Sequence, residues 1–392
     1  MSAPLAVVHA ALSLRASYGG PARSIPALAD ALAQLGASVE LVTAGNATPH
    51  DPLIMPSDPR VTVTAVSGRF DRKGLALWMP RFRRTIAERA DASRADVLHD
   101  HGMWRATNHA MSGAARALGL PLVVSPRGML ESAARRHRSA RKSLAWALWA
   151  RRDLARASCL HATSEGEATT LAGLGLDVPV VMIPNGVVVP PVVSPSEPHR
   201  AERQLLFIGR LVAVKGIDLL IEAWRRADPP GWRLVIAGPD EDGHRAVLER
   251  AVADAQLRDR VSFVGSLDED AKWRALAACD ALVLPSRTES FGSVVAEALA
   301  AARPVIATTT TPWAALATEQ CGWLSAPTPD AIAQAITTAC VLTDDATRAA
   351  MGARGRAYAS RSLAWSRAAR DMIAVYEWLA RGGSTPASVR RP

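Results

Sequence analysis

Two rhythms of apolar residues alternate along the chain. Short apolar runs recur at 5–9, 38–43, 61–65, 96–99, 121–125, 159–162 and 180–183, and helically spaced patterns such as 22–35 and 105–118 lie between most of them. This alternation predicts parallel α/β construction, since parallel strands need long crossovers and helices supply them. The 22–35 pattern stops at Gly36, a usual helix terminator. The rhythm breaks at Val187-Val-Val-Pro-Pro-Val-Val-Ser-Pro-Ser-Glu-Pro198, where four prolines exclude a central strand or a helix. It restarts with strands at 204–208, 233–237, 261–264, 281–284 and 305–307, and helices at 217–226, 245–255 and 268–278. Helical patterns at 329–342 and 363–379 close the chain.

The expected organisation is a first α/β domain at 1–190, a linker at 191–203 and a second α/β domain at 204–360. A C-terminal helix at 361–381 is expected to cross back to the first domain, followed by a loose basic tail at 382–392. Open parallel sheets bind ligands at the carboxyl ends of their strands, so two facing sheets predict a cleft.

Composition narrows this only a little. The 392 residues are 49% apolar and 21% charged, an ordinary globular balance. No apolar run approaches the ~18 residues of a membrane span, and the start lacks the basic segment of a secretion signal, so a cytoplasmic location is expected. Cys159, Cys279, Cys321 and Cys340 lie far apart with no CxxC pair, which argues against zinc sites and disulfide frameworks. The net charge of +9 suits an anionic partner, whether nucleic acid, membrane or phosphorylated small molecule, or simply an Arg-rich surface.

Two stretches carry candidate chemistry. In Leu284-Pro-Ser-Arg-Thr-Glu-Ser-Phe-Gly-Ser-Val-Val-Ala-Glu297 a strand ends, a turn follows and a helix starts near Ser290, a plausible N-cap. Gly292 allows close approach to the backbone, and free amides at the helix start favour an anion such as a diphosphate. Glu289 and Glu297 bracket that start and could hold hydroxyl groups; taken alone, the pair reads equally as surface charge. In Phe207-Ile-Gly-Arg-Leu-Val-Ala-Val-Lys-Gly-Ile-Asp218, Arg210 and Lys215 follow a strand end and suit a diphosphate, one as a fork and one as a point charge. The spacing is not that of a Walker A loop, and no GxGxxG follows the first strand.

Together these stretches resemble the retaining family 4 glycosyltransferases (glycosyl transferases group 1) of GT-B fold, through Gly209-Arg210-Leu211 with Lys215-Gly216 and through Glu289 with Glu297. Val261-Ser-Phe-Val-Gly265, Asp280-Ala-Leu-Val-Leu-Pro-Ser286, Ser17-Tyr-Gly-Gly-Pro21, His99-Asp-His-Gly102, Ser125-Pro-Arg-Gly-Met-Leu130 and Ile183-Pro-Asn-Gly-Val187 extend the likeness over residues 5–380. The resemblance implies two facing Rossmann-like, doubly wound domains with a donor cleft between them, the first on the acceptor side and the second binding a nucleotide-sugar. It implies a hexosyltransferase moving sugar from a UDP- or GDP-sugar to a glycan or lipid-linked glycan, with retention and without metal or other cofactor. Arg210 and Lys215 would hold the diphosphate, Glu289 the transferred sugar and Glu297 the ribose. The backbone at Phe291, Gly292 and Ser293 would line the sugar and phosphates, Gly19 and Gly20 would form the glycine loop, and His101 would support the reaction centre. From its own position after a strand, His101 is expected on a carboxyl-end loop, with His99 packed inward. Arg127 could meet an acceptor hydroxyl or phosphate, or be structural. Val188 stands where the family usually has Asp, and Ala302 where it usually has Gly, a change expected to alter helix-end geometry.

The stretch from Ser132 to Ala157 holds eight cations against one acid, interrupted by Leu144, Trp146, Leu148 and Trp149. It reads either as a helix lying on anionic lipid at the inner face of the plasma membrane or as a solvated helix whose tryptophans enter the core. The lipid reading leads to an acceptor used in envelope polysaccharide synthesis, lipopolysaccharide or exopolysaccharide. Two alternatives stand beside it. Another GT-B-like enzyme, such as a nucleotide-sugar epimerase, is disfavoured by the pairing of the two motifs. A nucleic-acid-binding protein is disfavoured because only this stretch offers a basic surface with aromatic platforms.

Overall fold

The computed structural model describes residues 4–45, 51–66, 79–130, 139–190, 202–241 and 243–390. The chain divides into two compact units, Met1–Gly186 with Trp365–Pro392, and Val187–Ala364. Of the expected linker, 191–201 lies outside the described residues.

The first unit is built on β1 (Ala6–Ala11), β2 (Ser38–Ala44), β3 (Val61–Val66), β4 (Val97–His101), β5 (Leu122–Ser125), β6 (Cys159–Ala162) and β7 (Val180–Met182). They are parallel, in the order β3-β2-β1-β4-β5-β6-β7. Both sheet faces are buried, as parallel sheets require, and the period of two sorts the side chains. Val8, Ala10, Val42, Leu98 and Val124 enter one core; Val7, Ala11, Val39, Leu41, Val97 and Val123 enter the other.

The second core is closed by the helix Trp365–Arg381. Its buried Ala368, Ala369, Met372, Val375 and Tyr376 fall at helical spacing on one face. Beyond it the tail is not loose. Val389–Arg390 adds an antiparallel strand to the β7 edge, with Val389 opposite Val181 and Arg390 bonded to Glu165 at 2.7 Å. An apolar residue reaching an open strand edge outweighs the polar composition around it.

The second unit holds β8 (Arg203–Ile208), β9 (Trp232–Ala237), β10 (Val261–Gly265), β11 (Ala281–Leu284), β12 (Val305–Thr308) and β13 (Gly322–Ser325), parallel in the order β10-β9-β8-β11-β12-β13. In each unit the strand order reverses beside the first strand, at β1/β4 and at β8/β11. Loops diverge there, leaving room for a ligand at the carboxyl ends.

Ala302 corrects one expectation. It sits past the helix Ser293–Ala300 at φ 57°, so it takes up the left-handed turn that a glycine would make, and the helix-end geometry is kept. Gly352 lies flat against it, because any Cβ there would strike the Ala302 carbonyl.

Candidate active site

In the second unit, three loops at the switch point are locked backbone to backbone. After β8, Gly209 N–H donates to Ala237 and Leu211 N–H to Pro239 in the loop after β9. Gly238, at φ 147°, lies so close that a Cβ would land on the Gly209 carbonyl oxygen. Gly216, at φ 67°, rests on the Pro285 carbonyl after β11 in the same way. Arg287 completes the clamp: its amide donates to Val214 at 2.9 Å, and its guanidinium to Ala213 at 2.6 Å and to both Asp218 oxygens at 2.8 and 2.6 Å.

This frame holds the Arg210–Lys215 loop in place. Lys215 forms an ion pair with Glu289, both side chains mostly buried, and Ser286 Oγ donates to the same carboxylate at 3.5 Å. Arg210 is bound to Glu241 at 2.5 Å in a pair that is half open to solvent. Glu297 accepts from Lys272 at 2.7 Å, with both side chains mostly buried.

The helix beside these groups starts at Ser293, with Gly292 (φ 75°) as N-cap and no side-chain cap; Ser290 does not cap it. The amides of its first turn are therefore not occupied by a cap. A Cβ on Gly292 would come within 3.0–3.2 Å of Leu284, Glu289 and Trp313. Phe291 is anchored in the core against Trp313, ring centroids 5.4 Å apart, and its carbonyl accepts from Trp313 Nε1 at 2.5 Å. Its backbone is thereby fixed at the helix start.

In the first unit, Gly19 (φ 79°) and Gly20 open the helix Gly20–Gln34, again without a side-chain cap. A Cβ on either would meet nothing within 4 Å, so the backbone here faces open space. β4 runs on to His101, placing that residue in the strand and not on a loop. His99 and His101 share one face and both are buried. His101 Nε2 lies 3.0 Å from His9 Nδ1, and its Nδ1 accepts from Arg127 Nε and Nη2 at 3.2 and 3.1 Å. Both ring nitrogens are thus engaged within the protein.

Arg127 itself lies at φ 54° in the left-handed region, a strained setting for a side-chain-bearing residue. Its Nη1 donates to Ser24 at 2.9 Å and to Asn185 at 3.2 Å. Burial lowers its pKa to about 10, leaving it charged at neutral pH. Burial also pushes the Asp100 carboxyl, between His99 and His101 on β4 and bonded by Asn108, up to about 8.

Residues 194–358 match the family described as glycosyl transferases group 1, and residues 19–186 match the glycosyl transferase 4-like domain. The D-inositol 3-phosphate glycosyltransferase of Xylanimonas cellulosilytica is 30% identical over 377 residues, covering 89% of each chain. This chain belongs to the glycosyl transferases group 1 family. The lipopolysaccharide core biosynthesis mannosyltransferase LpsB of Rhizobium meliloti is 34% identical over 225 residues, 53% of this chain and 63% of that one. HepE of Anabaena, solved in complex with UDP and glucose, superposes with a TM-score of 0.72 at 19% identity, covering 96% of this chain and all of that one. The fold is GT-B.

For a glycosyltransferase the arrangement is chemically apt. In the second unit, two cations, two carboxylates and an uncapped helix start gather at one switch point. Sequence reasoning missed Glu241 and Lys272, which hold Arg210 and Glu297; Lys272 and Glu297 stand 25 residues apart, and no local spacing announces them.

In the basic stretch the tryptophans follow the core-facing reading. Residues 132–138 lie outside the described residues. The remainder forms the helix Ser139–Ala145, a π-helical turn Trp146–Ala150 and the helix Arg151–Ala155. Trp149 is 8% exposed and Trp146 packs on the same core, near Trp104. The tryptophans face inward because the core takes their large apolar rings. Leu144 and Leu148, 45% and 49% exposed, remain outside with Arg151 and Arg152. Among the described residues no helix is long and apolar enough to cross a membrane.

Proposed function

We propose that this glycosyltransferase moves a hexose from a UDP- or GDP-sugar to a lipid-linked glycan during envelope polysaccharide synthesis, with retention and with protein cations in the place of a metal. The observation carrying this is the Lys215–Glu289 pair set against the uncapped Gly292 helix start, with Arg210 beside it. The half-open Arg210–Glu241 pair is worth about 1 kcal/mol or less, so a diphosphate can take the guanidinium over cheaply. Lys215 is already placed by Glu289 and can turn its other protons to the same anion.

As the bond between the anomeric carbon and the phosphate loosens, charge grows on the diphosphate. Arg210, Lys215 and the first-turn amides stabilise it without reorganising; one such contact is worth ~3 kcal/mol of barrier. In this reading Glu289 holds the sugar and Glu297 the ribose. The acceptor hydroxyl attacks from the face the diphosphate leaves, and the departing diphosphate takes its proton. Arg127 supplies a fixed cation for an acceptor bearing phosphate.

LpsB supports the envelope reading and HepE the nucleotide-sugar. Exposed Leu144 and Leu148 beside Arg151 and Arg152 support a lipid surface at the inner face of the plasma membrane. The test is transfer from UDP-glucose and GDP-mannose to polyprenyl-diphosphate glycans, with and without EDTA, followed by NMR of the product's anomeric proton. Retained configuration with full EDTA resistance is expected. An inverted product, or activity abolished by EDTA and restored by a divalent ion, would overturn it.

A further inference from the structure

On the face of the first sheet covered by Trp365–Arg381, four strands each place one or two polar side chains in the core: His9, His99, His101, Ser125 and His161, with Tyr376 above them. Their contacts run in a single line. Arg127 reaches His101 Nδ1; His101 Nε2 reaches His9 Nδ1 at 3.0 Å; His9 Nε2 reaches the Tyr376 hydroxyl at 3.3 Å. The Tyr376 hydroxyl reaches His99 Nδ1 at 2.5 Å, and His99 Nε2 reaches Ser125 Oγ at 2.6 Å. Ser125 Oγ reaches His161 Nδ1 at 2.6 Å, and His161 Nε2 reaches the Ile183 carbonyl at 2.8 Å.

The two ends decide every proton between them. Arg127 can only donate, so His101 Nδ1 must accept and a neutral ring then carries its proton on Nε2. That proton forces His9 to accept on Nδ1 and donate from Nε2 to the Tyr376 hydroxyl. The Ile183 carbonyl can only accept, so His161 must donate from Nε2 and accept on Nδ1. From this end Ser125 must spend its one proton on His161 and accept from His99, Tyr376 must spend its own on His99 and accept from His9, and the order meets the Arg127 end without a clash. A line of this many groups with fixed ends could equally have met in a donor–donor or acceptor–acceptor clash.

We infer that these groups form one proton-ordered hydrogen-bond chain, with all four histidines neutral and protonated on Nε2, and that Tyr376 is a positioning residue for Arg127. The chain reaches Arg127 from below, while Ser24 and Asn185 hold its other side. The groups bonded to Arg127 are neutral, and the Glu167 carboxylate, which accepts from the neighbouring Gly128 amide at 2.5 Å, acts on its charge through space. The catalytic consequence rests on the proposed acceptor-side role of Arg127; the proton order does not. Ligand atoms of His9, His99 and His101 also lie within 4.8 Å of one another, a grouping that could hold a metal ion. Each of those nitrogens has a hydrogen-bond partner, so a bound ion would break the line.

The experiment is two-bond 1H–15N correlation on the full chain labelled with 15N-histidine, assigned by single His→Gln variants, alongside kinetics of Tyr376→Phe and Ser125→Ala. The expected spectrum shows all four rings as Nε2–H tautomers at pH 7. Either variant should lower kcat about tenfold, one buried hydrogen bond's worth, with the donor KM within about twofold. Both should also shift the His101 resonances. An Nδ1–H ring or an imidazolium among the four at pH 7, or a stoichiometric metal ion bound to them, would overturn the chain. Unchanged kcat with a lowered melting temperature would overturn the positioning role alone. An intact spectrum in a protein that transfers no sugar would sink the proposed reaction and leave the chain standing.

Discussion

Acid should unfold the first unit far more readily than the second. The perturbation is a drop from pH 7 to pH 5. Burial is the main cause holding the His9 pKa down to about 3 and the His161 pKa to about 4, with the nearby Arg127 charge acting the same way. His99 and His101 are lowered well below 6.5 by burial, by their neighbouring histidines and by Arg127. The unfolded chain binds a proton at each near pH 6.5, whereas native His9 and His161 do so only near pH 3 and 4, and His99 and His101 only well below 6.5. The unfolded state therefore holds more protons across this window, so stability rises with pH and is lost on acidification.

His9 and His161 each contribute about 2 kcal/mol of loss between pH 7 and 5, and His99 and His101 act in the same direction. Asp100 works in the opposite direction. Its raised pKa keeps it protonated in the native state, which returns about 3 kcal/mol as pH falls. His9 and His161 alone outweigh Asp100 by about 1 kcal/mol, and with His99 and His101 acting the same way the melting temperature of the first unit should fall by more than about 3 °C. Differential scanning calorimetry from pH 7 to 5 at fixed ionic strength, with the transitions assigned by hydrogen exchange, reads the effect. Melting of the first unit that stays within about 3 °C across this range would refute the reasoning.

Gly238→Ala should disable sugar transfer without unfolding the protein, since its methyl must displace Gly209 and the loop carrying Arg210 and Lys215; a donor KM within twofold of wild type would contradict the backbone lock. Ala302→Gly should raise the second unit's stability by about 0.5–1 kcal/mol by relieving a left-handed alanine, read as a higher urea midpoint. Leu144→Ser with Leu148→Ser should weaken flotation with anionic liposomes at least about tenfold without moving the melting temperature; equal flotation would remove these residues from any lipid contact.

Much of the fold could be read in the sequence because parallel strands buried on both faces leave dense apolar runs, and every strand but β13 and the edge strand Val389–Arg390 announced itself this way. β13 escaped because Gly322-Trp-Leu-Ser325 is short and its residues are mostly half-buried. The candidate donor groups were readable as motifs on loops at strand ends, where chemistry is local in sequence. Their partners were not. Glu241 and Lys272 stand on other loops and helices, and nothing near them in sequence points to Arg210 or Glu297. The histidine line was invisible for the same reason. His9, His99, Ser125, His161 and Tyr376 come from five segments, and only sheet register and the closing helix bring them together. His101 was singled out for a loop, but β4 runs two residues further than its apolar run suggests, because the polar side chains at its end satisfy one another in the core.

The central claim, a nucleotide-sugar diphosphate held by Arg210 and Lys215 at the Gly292 helix start, is tested most directly by calorimetric titration of the full chain with UDP, GDP and their hexose derivatives. The account predicts that one nucleotide family binds, and that Lys215→Ala and Arg210→Ala each weaken it at least about tenfold while leaving the melt cooperative. Binding of either nucleotide that both variants retain at wild-type affinity would place the donor elsewhere and contradict the account.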